Sequence, residues 1–240
     1  VLGLLGPNGE GKTTCFYMIT GLIAADFGTI TIDGKDVTQL PMYVRARMGL
    51  GYLPQEFGVY PNMSAQNLLH YFAKLKGITS ANDRNAIVKE VLEITNLYDV
   101  RNKNVSGYSG GMKQRFGIAQ LLLNNPKLII VDEPTAGLDP AERHRFLNVL
   151  REIGTNHTVI FSTHIVDDVK ELCNDMAILN GGKILARNTP KEATQQLEGT
   201  IWTRIVEREK LEEYEQKYNV ISSNYNQDNT LNIRVHSAEK

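Results

Sequence analysis

Between Gly6 and Gly11 lie four residues, Pro7-Asn8-Gly9-Glu10, and Lys12-Thr13-Thr14 follow at once. A glycine-rich turn of this spacing can curl its backbone so that amide N–H groups point at phosphate oxygens. Lys12 then supplies a point charge, and the Thr13 hydroxyl can ligate magnesium at the start of the next helix. A second group stands at Asp132 and Glu133, directly after the apolar run Leu128-Ile129-Ile130-Val131. Ligands of parallel sheets bind at the carboxyl ends of strands, so Asp132 can reach a metal ion while Glu133 orients and deprotonates a water. Asp132 could also simply cap the turn before Pro134. Ser109-Gly110-Gly111-Met112-Lys113-Gln114 opens a helix, where free amides could hold a phosphate; a plainly capped helix explains those residues equally well. His164 and Gln55 each follow a strand, and taken alone neither separates a catalytic role from a structural one.

The elements around these residues follow from periodicity. Val1 to Leu5 predicts a buried strand and Thr13 to Leu22 the helix after it, so the glycine turn sits in a strand-loop-helix unit. Thr29 to Val37 alternates around Asp33-Gly34 and predicts a hairpin. Gly49 to Leu53 predicts a further strand. Helical spacing over Asn67–Gly77, Arg84–Asn96 and Met112–Asn124 predicts a helical block at about 64–125. Strands at Leu128–Val131, His157–Ser162 and Met176–Leu179 alternate with helical stretches, which predicts a mostly parallel sheet covered by helices. From Ile201 the texture changes to a strand, a charged helix over Lys210–Tyr218 and two polar strands around Asp228-Asn229. The expected division is a main domain over 1–200 and a small α+β appendage over 201–240, cut short at Lys240. Val1 begins a strand with no leader before it, so the chain is expected to lack its true start.

Composition narrows the function classes. With 26 basic and 27 acidic residues, net charge -1, the chain lacks the basic field of a protein that wraps nucleic acid, and no nucleic-acid partner is expected. Its two cysteines, Cys15 and Cys173, lie far apart in apolar-periodic segments and read as reduced, packed thiols. The longest apolar runs are strand-sized, well short of the roughly 20 residues that span a bilayer.

Taken together, these pieces resemble the ATPase subunits of ABC transporters over almost all of residues 1–200. The glycine loop Gly6 to Thr14 matches the Walker A motif, and Gln55 in Leu53-Pro54-Gln55-Glu56 the Q-loop. Ser109-Gly110-Gly111 matches the signature and Asp132-Glu133 the Walker B pair. Gly137-Leu138-Asp139 matches the D-loop, and His164 in Ser162-Thr163-His164 the H-loop. The resemblance implies a P-loop NTPase α/β core with a mostly parallel sheet, a small antiparallel β subdomain and an inserted helical subdomain. It implies ATP and magnesium as cofactors: ATP held by Gly6, Pro7, Asn8, Gly9, Glu10, Gly11, Lys12, Thr13, Thr14 and Gln55, with the metal ion at Thr13, Gln55 and Asp132. Glu133 and His164 would be the catalytic pair.

Two such subunits would dimerise head to tail, each ATP also contacting Ser109, Gly110 and Gly111 of the other subunit, with Asp139 linking the two sites. An integral membrane subunit, separately encoded, would bind them at the cytoplasmic face of the cell membrane. Glu10 and Tyr108 depart from the family pattern, which usually has a small residue and Leu there. The aromatic residue that stacks on adenine precedes the first strand in the family, and that stretch is not in this chain. Phe16-Tyr17-Met18 and Arg45 to Glu56 look like lipopolysaccharide-export ATPases, and Tyr108 to Asp168 like those of drug exporters. Export is therefore expected, with an importer ATPase as the alternative and a ribosome-associated ABC protein as a more remote one. A DNA-end ATPase would need a long coiled coil between Gln55 and Ser109, and that stretch is far too short.

Overall fold

A computed structural model describes residues 1–55 and 62–237, so Glu56 of the segment quoted with Gln55 lies outside the described residues. The first compact unit, Val1–Thr189, is built on a six-stranded sheet. In chain order the elements are β1 (Leu2–Leu5), α1 (Lys12–Thr20), β2 (Thr31–Ile32), β3 (Lys35–Asp36), α2 (Met42–Arg47) and β4 (Leu50–Leu53). Helices α3 (Ala65–Leu75), α4 (Ala81–Ile94) and α5 (Gly110–Leu122) follow. Then come β5 (Leu128–Val131), α6 (Pro140–Ile153), β6 (Thr158–Thr163), α7 (Val166–Leu172), β7 (Asp175–Asn180) and β8 (Lys183–Asn188).

The sheet runs β4-β5-β6-β1-β7-β8 and is parallel except for the antiparallel β7–β8 pair at its edge. Register is what matters for function. Leu53 pairs with Val131, Val131 with Phe161, and Leu5 with Thr163. The carboxyl ends of β4, β5, β6 and β1 therefore lie in one row, and the residues just beyond them emerge along one edge.

Behind that edge Leu4, Ile130, Leu179 and Phe16 form one buried cluster with Ile32 of the small β2–β3 sheet and Val37 just after it. Arg45 on α2, fully buried, fastens this corner: it donates to the carbonyls of Met18 and Ile19 at the end of α1 and to those of Thr38 and Leu40. A cation on the last carbonyls of a helix also complements its dipole.

The helices α3, α4 and α5 begin earlier than their apolar spacing predicts, because Ser64, Ser80 and Ser109 cap them. Each hydroxyl accepts from the backbone N–H three residues on, at 3.3, 3.4 and 3.2 Å. Strand β8 was not anticipated: Ile184 and Leu185 both face solvent on an edge strand, so Lys183–Asn188 lacks the alternation of a half-buried strand.

The second unit, Pro190–Lys240, comprises α8 (Pro190–Gln195), β9 (Ile201–Val206), α9 (Leu211–Lys217), β10 (Asn219–Tyr225) and β11 (Leu231–His236). Its antiparallel sheet, β10-β11-β9, buries Val206, Leu231, Ile233 and Val235 against Leu211, Tyr214 and Val220. Among the described residues, no helix is long and apolar enough to cross a membrane.

Candidate functional site

The loop from Gly6 to Gly11 leaves β1 and enters α1 through two glycines in left-handed conformations, Gly9 at φ 88° and Gly11 at φ 93°. Space around both is open, so backbone angle rather than crowding selects glycine there. At Gly6 the reason is proximity: a Cβ would overlap the Leu179 carbonyl of β7. The Gly6 N–H donates to the Thr163 carbonyl at the end of β6, at 3.3 Å. The loop is thus pinned to both neighbouring strands at its start.

Lys12 is 4% exposed, and its ammonium donates to the carbonyls of Gly6 and Pro7, both at 2.8 Å, with Glu133 Oε1 at 3.1 Å. An ammonium has three donors, and these acceptors match them. The other carboxylate oxygen of Glu133 lies 3.3 Å from His164 Nδ1. A chain Lys12–Glu133–His164 results, joining segments that follow β1, β5 and β6. Gln55, beyond β4, lines a cavity of about 370 Å³ with Lys12 and Glu133 and with Asn8, Gly9, Gly11, Thr13 and Thr14.

Ser162 on β6 positions both acidic residues: its hydroxyl donates to Asp132 Oδ1 at 2.5 Å and accepts from the Glu133 N–H at 2.9 Å. Glu133 has φ 41°, a conformation that side-chain-bearing residues adopt at a cost and that clusters at functional sites. Nearby, the Tyr52 hydroxyl is buried without a hydrogen bond of good geometry among the described residues, while burial, and after it the charge of Asp132, pushes its phenol well above the usual range.

An oxygen-only set of Thr13 hydroxyl, Gln55 amide oxygen and Asp132 carboxylate suits magnesium, which prefers one or two carboxylates supplemented by water and phosphate oxygens. The buried Tyr52 hydroxyl beside Asp132, without a partner of good geometry among the described residues, leaves polar bonding capacity unsatisfied on that side.

Other expected residues stand elsewhere. Ser109 caps α5 and is exposed with Gly110, while Gly111 packs so closely on Glu142 that a Cβ would overlap its carboxylate. Asp139 caps α6 by accepting from the Glu142 N–H at 2.9 Å. None of the four lines the cavity with Lys12. Glu10 turns its carboxylate away from the cavity onto the backbone N–H of Gly181, at the β7–β8 turn. Tyr108 is buried edge-on against Phe116 and donates to the Val100 carbonyl at 2.9 Å, so it acts as packing; burial pushes its phenol up to about 12.

Sequence reasoning missed one junction. Asp168 on α7 is completely buried and accepts from Thr135 Oγ1 and Arg143 Nε, both at 2.6 Å, and from Thr163 Oγ1 at 3.2 Å. It thereby ties the turn after Glu133, the first turns of α6 and the residue before His164. No local signal reveals this, because Thr135 and Arg143 are 33 and 25 residues away in the chain.

Residues 1–136 match the family described as ABC transporter. An uncharacterized ABC transporter ATP-binding protein of Bacillus subtilis, YxlF, is 38% identical over 88% of this chain and 68% of its own length. The lipopolysaccharide export system ATP-binding protein LptB of Escherichia coli is 37% identical over 81% of each chain. The linearmycin resistance ATP-binding protein LnrL of Bacillus subtilis is 35% identical over 82% of this chain and 63% of its own length. Among solved structures, an ATP-binding cassette of an ABC transporter, MJ1267, superposes with a TM-score of 0.73 at 25% identity, covering 82% of this chain and 83% of its own. The cassette MJ0796, described as dimeric, in a post-hydrolysis state and bound to ADP and Pi, superposes with a TM-score of 0.68 at 25% identity, over 79% and 84%.

Proposed function

The chain belongs to the ABC transporter ATP-binding family and is an ATPase, and from that premise we propose that it powers export through a separate membrane subunit, as one half of a head-to-tail homodimer at the cytoplasmic face of the cell membrane. The observation that carries the reading is the Lys12–Glu133–His164 chain, two of whose members, Lys12 and Glu133, line one cavity with Gln55 and the glycine loop. Export is supported by the lipopolysaccharide export and linearmycin resistance relatives. ATPase function is assigned to 1–200 and an appended role to 201–240.

In this reading the amides of Gly9, Gly11, Lys12 and Thr13 cradle the phosphates, and Lys12 trades its loop carbonyls for phosphate oxygens. Magnesium, held by Thr13, Gln55 and Asp132, would neutralise phosphate charge. Glu133 accepts a proton from the attacking water as its oxygen bonds to the terminal phosphorus and the bond to the bridging oxygen breaks. His164, held against Glu133, orients toward the terminal phosphate. Ser109, Gly110 and Gly111 of the second subunit close the site from the other side, and Asp139 stands between the two sites.

Mixed dimers test the arrangement. A Ser109→Arg subunit paired with a Glu133→Gln subunit keeps one whole site if the nucleotide is shared between subunits, and hydrolysis persists. Both changes in one subunit, opposite an unaltered one, spoil both sites. The reverse pattern would mean that each chain uses its own Ser109. For direction, the chain is reconstituted with the membrane subunit that co-purifies with it; cargo moving toward the side that carries the ATPase, on ATP addition, would contradict export.

A further inference from the structure

In the second unit the inner face of the sheet is longer than the helix that covers it. Strand β9 has six residues, about 20 Å of extended chain, whereas α9 has seven, about 10 Å of helix. Across the β9–β11 pair, Val206 lies opposite Leu231, Arg204 opposite Ile233 and Trp202 opposite Val235, so these six side chains share the inner face. Leu211 and Tyr214 pack against the cluster of Val206, Leu231, Ile233 and Val235. Toward Trp202 it is left open as a cavity of about 470 Å³. That size is typical of small-molecule pockets.

Its walls are aromatic and cationic. Tyr214 and Tyr218, one helical turn apart, stack at 5.8 Å with 26° between their planes. Arg204 lies 5.5 Å over the Tyr214 ring, and Lys217 Nζ 5.4 Å from the centre of the Tyr218 ring. The Trp202 indole N–H donates to the Ser237 carbonyl at 3.1 Å, which fixes that ring as a wall. Arg204 stands opposite the fully buried Ile233 in the strand register but is itself exposed, its guanidinium lying along the cavity rather than in the core. Among the described residues, no carboxylate forms an ion pair with Arg204 or Lys217, although Glu213 lines the small adjoining cavity with both.

We propose that this cavity binds a small organic anion with an aromatic ring system, the ring lying against Trp202, Tyr214 and Tyr218 and the anionic group meeting Arg204. The inference is independent of the ATPase site and of the direction of transport, since all of these residues belong to the second unit.

The chain has one tryptophan, so the indole N–H cross-peak of the ¹⁵N-labelled full chain reports on the cavity without any activity measurement. 2-Naphthoate is the probe and uncharged 2-naphthamide its control. A saturable shift of the Trp202 signal is expected with naphthoate, with Kd below about 1 mM. Naphthamide should bind at least about tenfold more weakly, because the charge-assisted bond to Arg204 is lost. Arg204→Gln and Tyr218→Ala should each weaken naphthoate while the ligand-free Trp202 cross-peak and the dispersed amide peaks of the second unit persist, which shows that this unit is folded, and ATP binding should be unchanged. Lys12→Ala should leave the naphthoate titration unchanged. An absent or unsaturable shift, equal affinity for the amide, or equal affinity in Arg204→Gln would overturn the site; loss in Lys12→Ala would reassign the probe to the nucleotide pocket.

Discussion

Two segments place glycines and free N–H groups at the start of a helix, Gly6–Thr14 before α1 and Ser109–Gly111 before α5, and the fold treats them in opposite ways. The first is closed on itself: Lys12 is buried, its donors match Gly6, Pro7 and Glu133, and Gly6 is pinned between β6 and β7. The second is open: Ser109 and Gly110 face solvent, and the serine hydroxyl serves only Met112 N–H among the described residues. Charge partners for the first segment come from the same chain, so folding alone assembles it. The second holds the Ser109 and Gly110 end of its helix N-terminus toward solvent, and the Glu142 carboxylate beside Gly111 is already taken by Arg115 and Arg145, which leaves that end able to meet a phosphate brought by another subunit.

The difference is broken most severely at Glu133. Glu133→Gln keeps the shape and the neutral hydrogen bonds but removes the base, so kcat should fall by about 10²-fold or more, with nucleotide affinity retained. Steady-state hydrolysis and equilibrium ATP binding, measured side by side, check both halves of that statement. Lys12→Ala acts on the other quantity. Removing the buried cation should weaken nucleotide binding by roughly ten- to a hundredfold, the size of one or two charge-assisted hydrogen bonds. An unaltered Kd would mean that the loop amides alone hold the phosphates.

How much of this was legible follows from where the partners sit. The glycine loop, Asp132 and Glu133 could be read because each motif is local and each follows an apolar strand; the register that pairs Leu53 with Val131, Val131 with Phe161 and Leu5 with Thr163 then brings their neighbours to one edge. Ser162 could not be assigned a role, since bridging Asp132 and Glu133 depends on β5 and β6 being adjacent. Glu10 was expected among the ATP-holding residues and noted as a departure from the family pattern; its contact with the Gly181 N–H could not be read, because that partner is 171 residues away. Strand β8 escaped because an exposed edge strand carries no burial pattern.

Asp168 is the clearest case of that kind, and it offers a smaller effect. Asp168→Asn preserves size and one acceptor but leaves Arg143 without its carboxylate, which loosens Thr135 behind Glu133 and Thr163 before His164. Because Arg143 is 27% exposed, water screens part of the loss, and a reduction in kcat of about tenfold with little change in ATP affinity is expected. A double-mutant cycle with His164→Ala separates positioning from general destabilisation. Residues acting through one another are non-additive, so Asp168→Asn should cost little more once His164 is gone. Full additivity would make Asp168 a structural residue only.

The smallest expected change concerns Ser109, where two roles share one hydroxyl and a pair of substitutions can separate them. As an N-cap it accepts from Met112 N–H at 3.2 Å. Alanine at a capping position costs about 1 kcal/mol, whereas glycine costs only a few tenths because its backbone suits the cap. Ser109→Ala should therefore lower Tm by roughly 2 to 4 °C, and Ser109→Gly should hardly move it. Neither substitution should alter ATP affinity of the isolated subunit, whose cavity Ser109 does not line. Hydrolysis is the discriminating quantity. If the hydroxyl also donates to a phosphate on the opposing subunit, both variants lose that bond, and turnover should fall by about five- to tenfold in each, from roughly 1 to 1.4 kcal/mol of lost stabilisation. Hydrolysis that follows Tm instead, reduced in Ser109→Ala and normal in Ser109→Gly, would leave Ser109 as a helix cap and nothing more. The open segment would then owe its function to the amides of Gly110 and Gly111 alone.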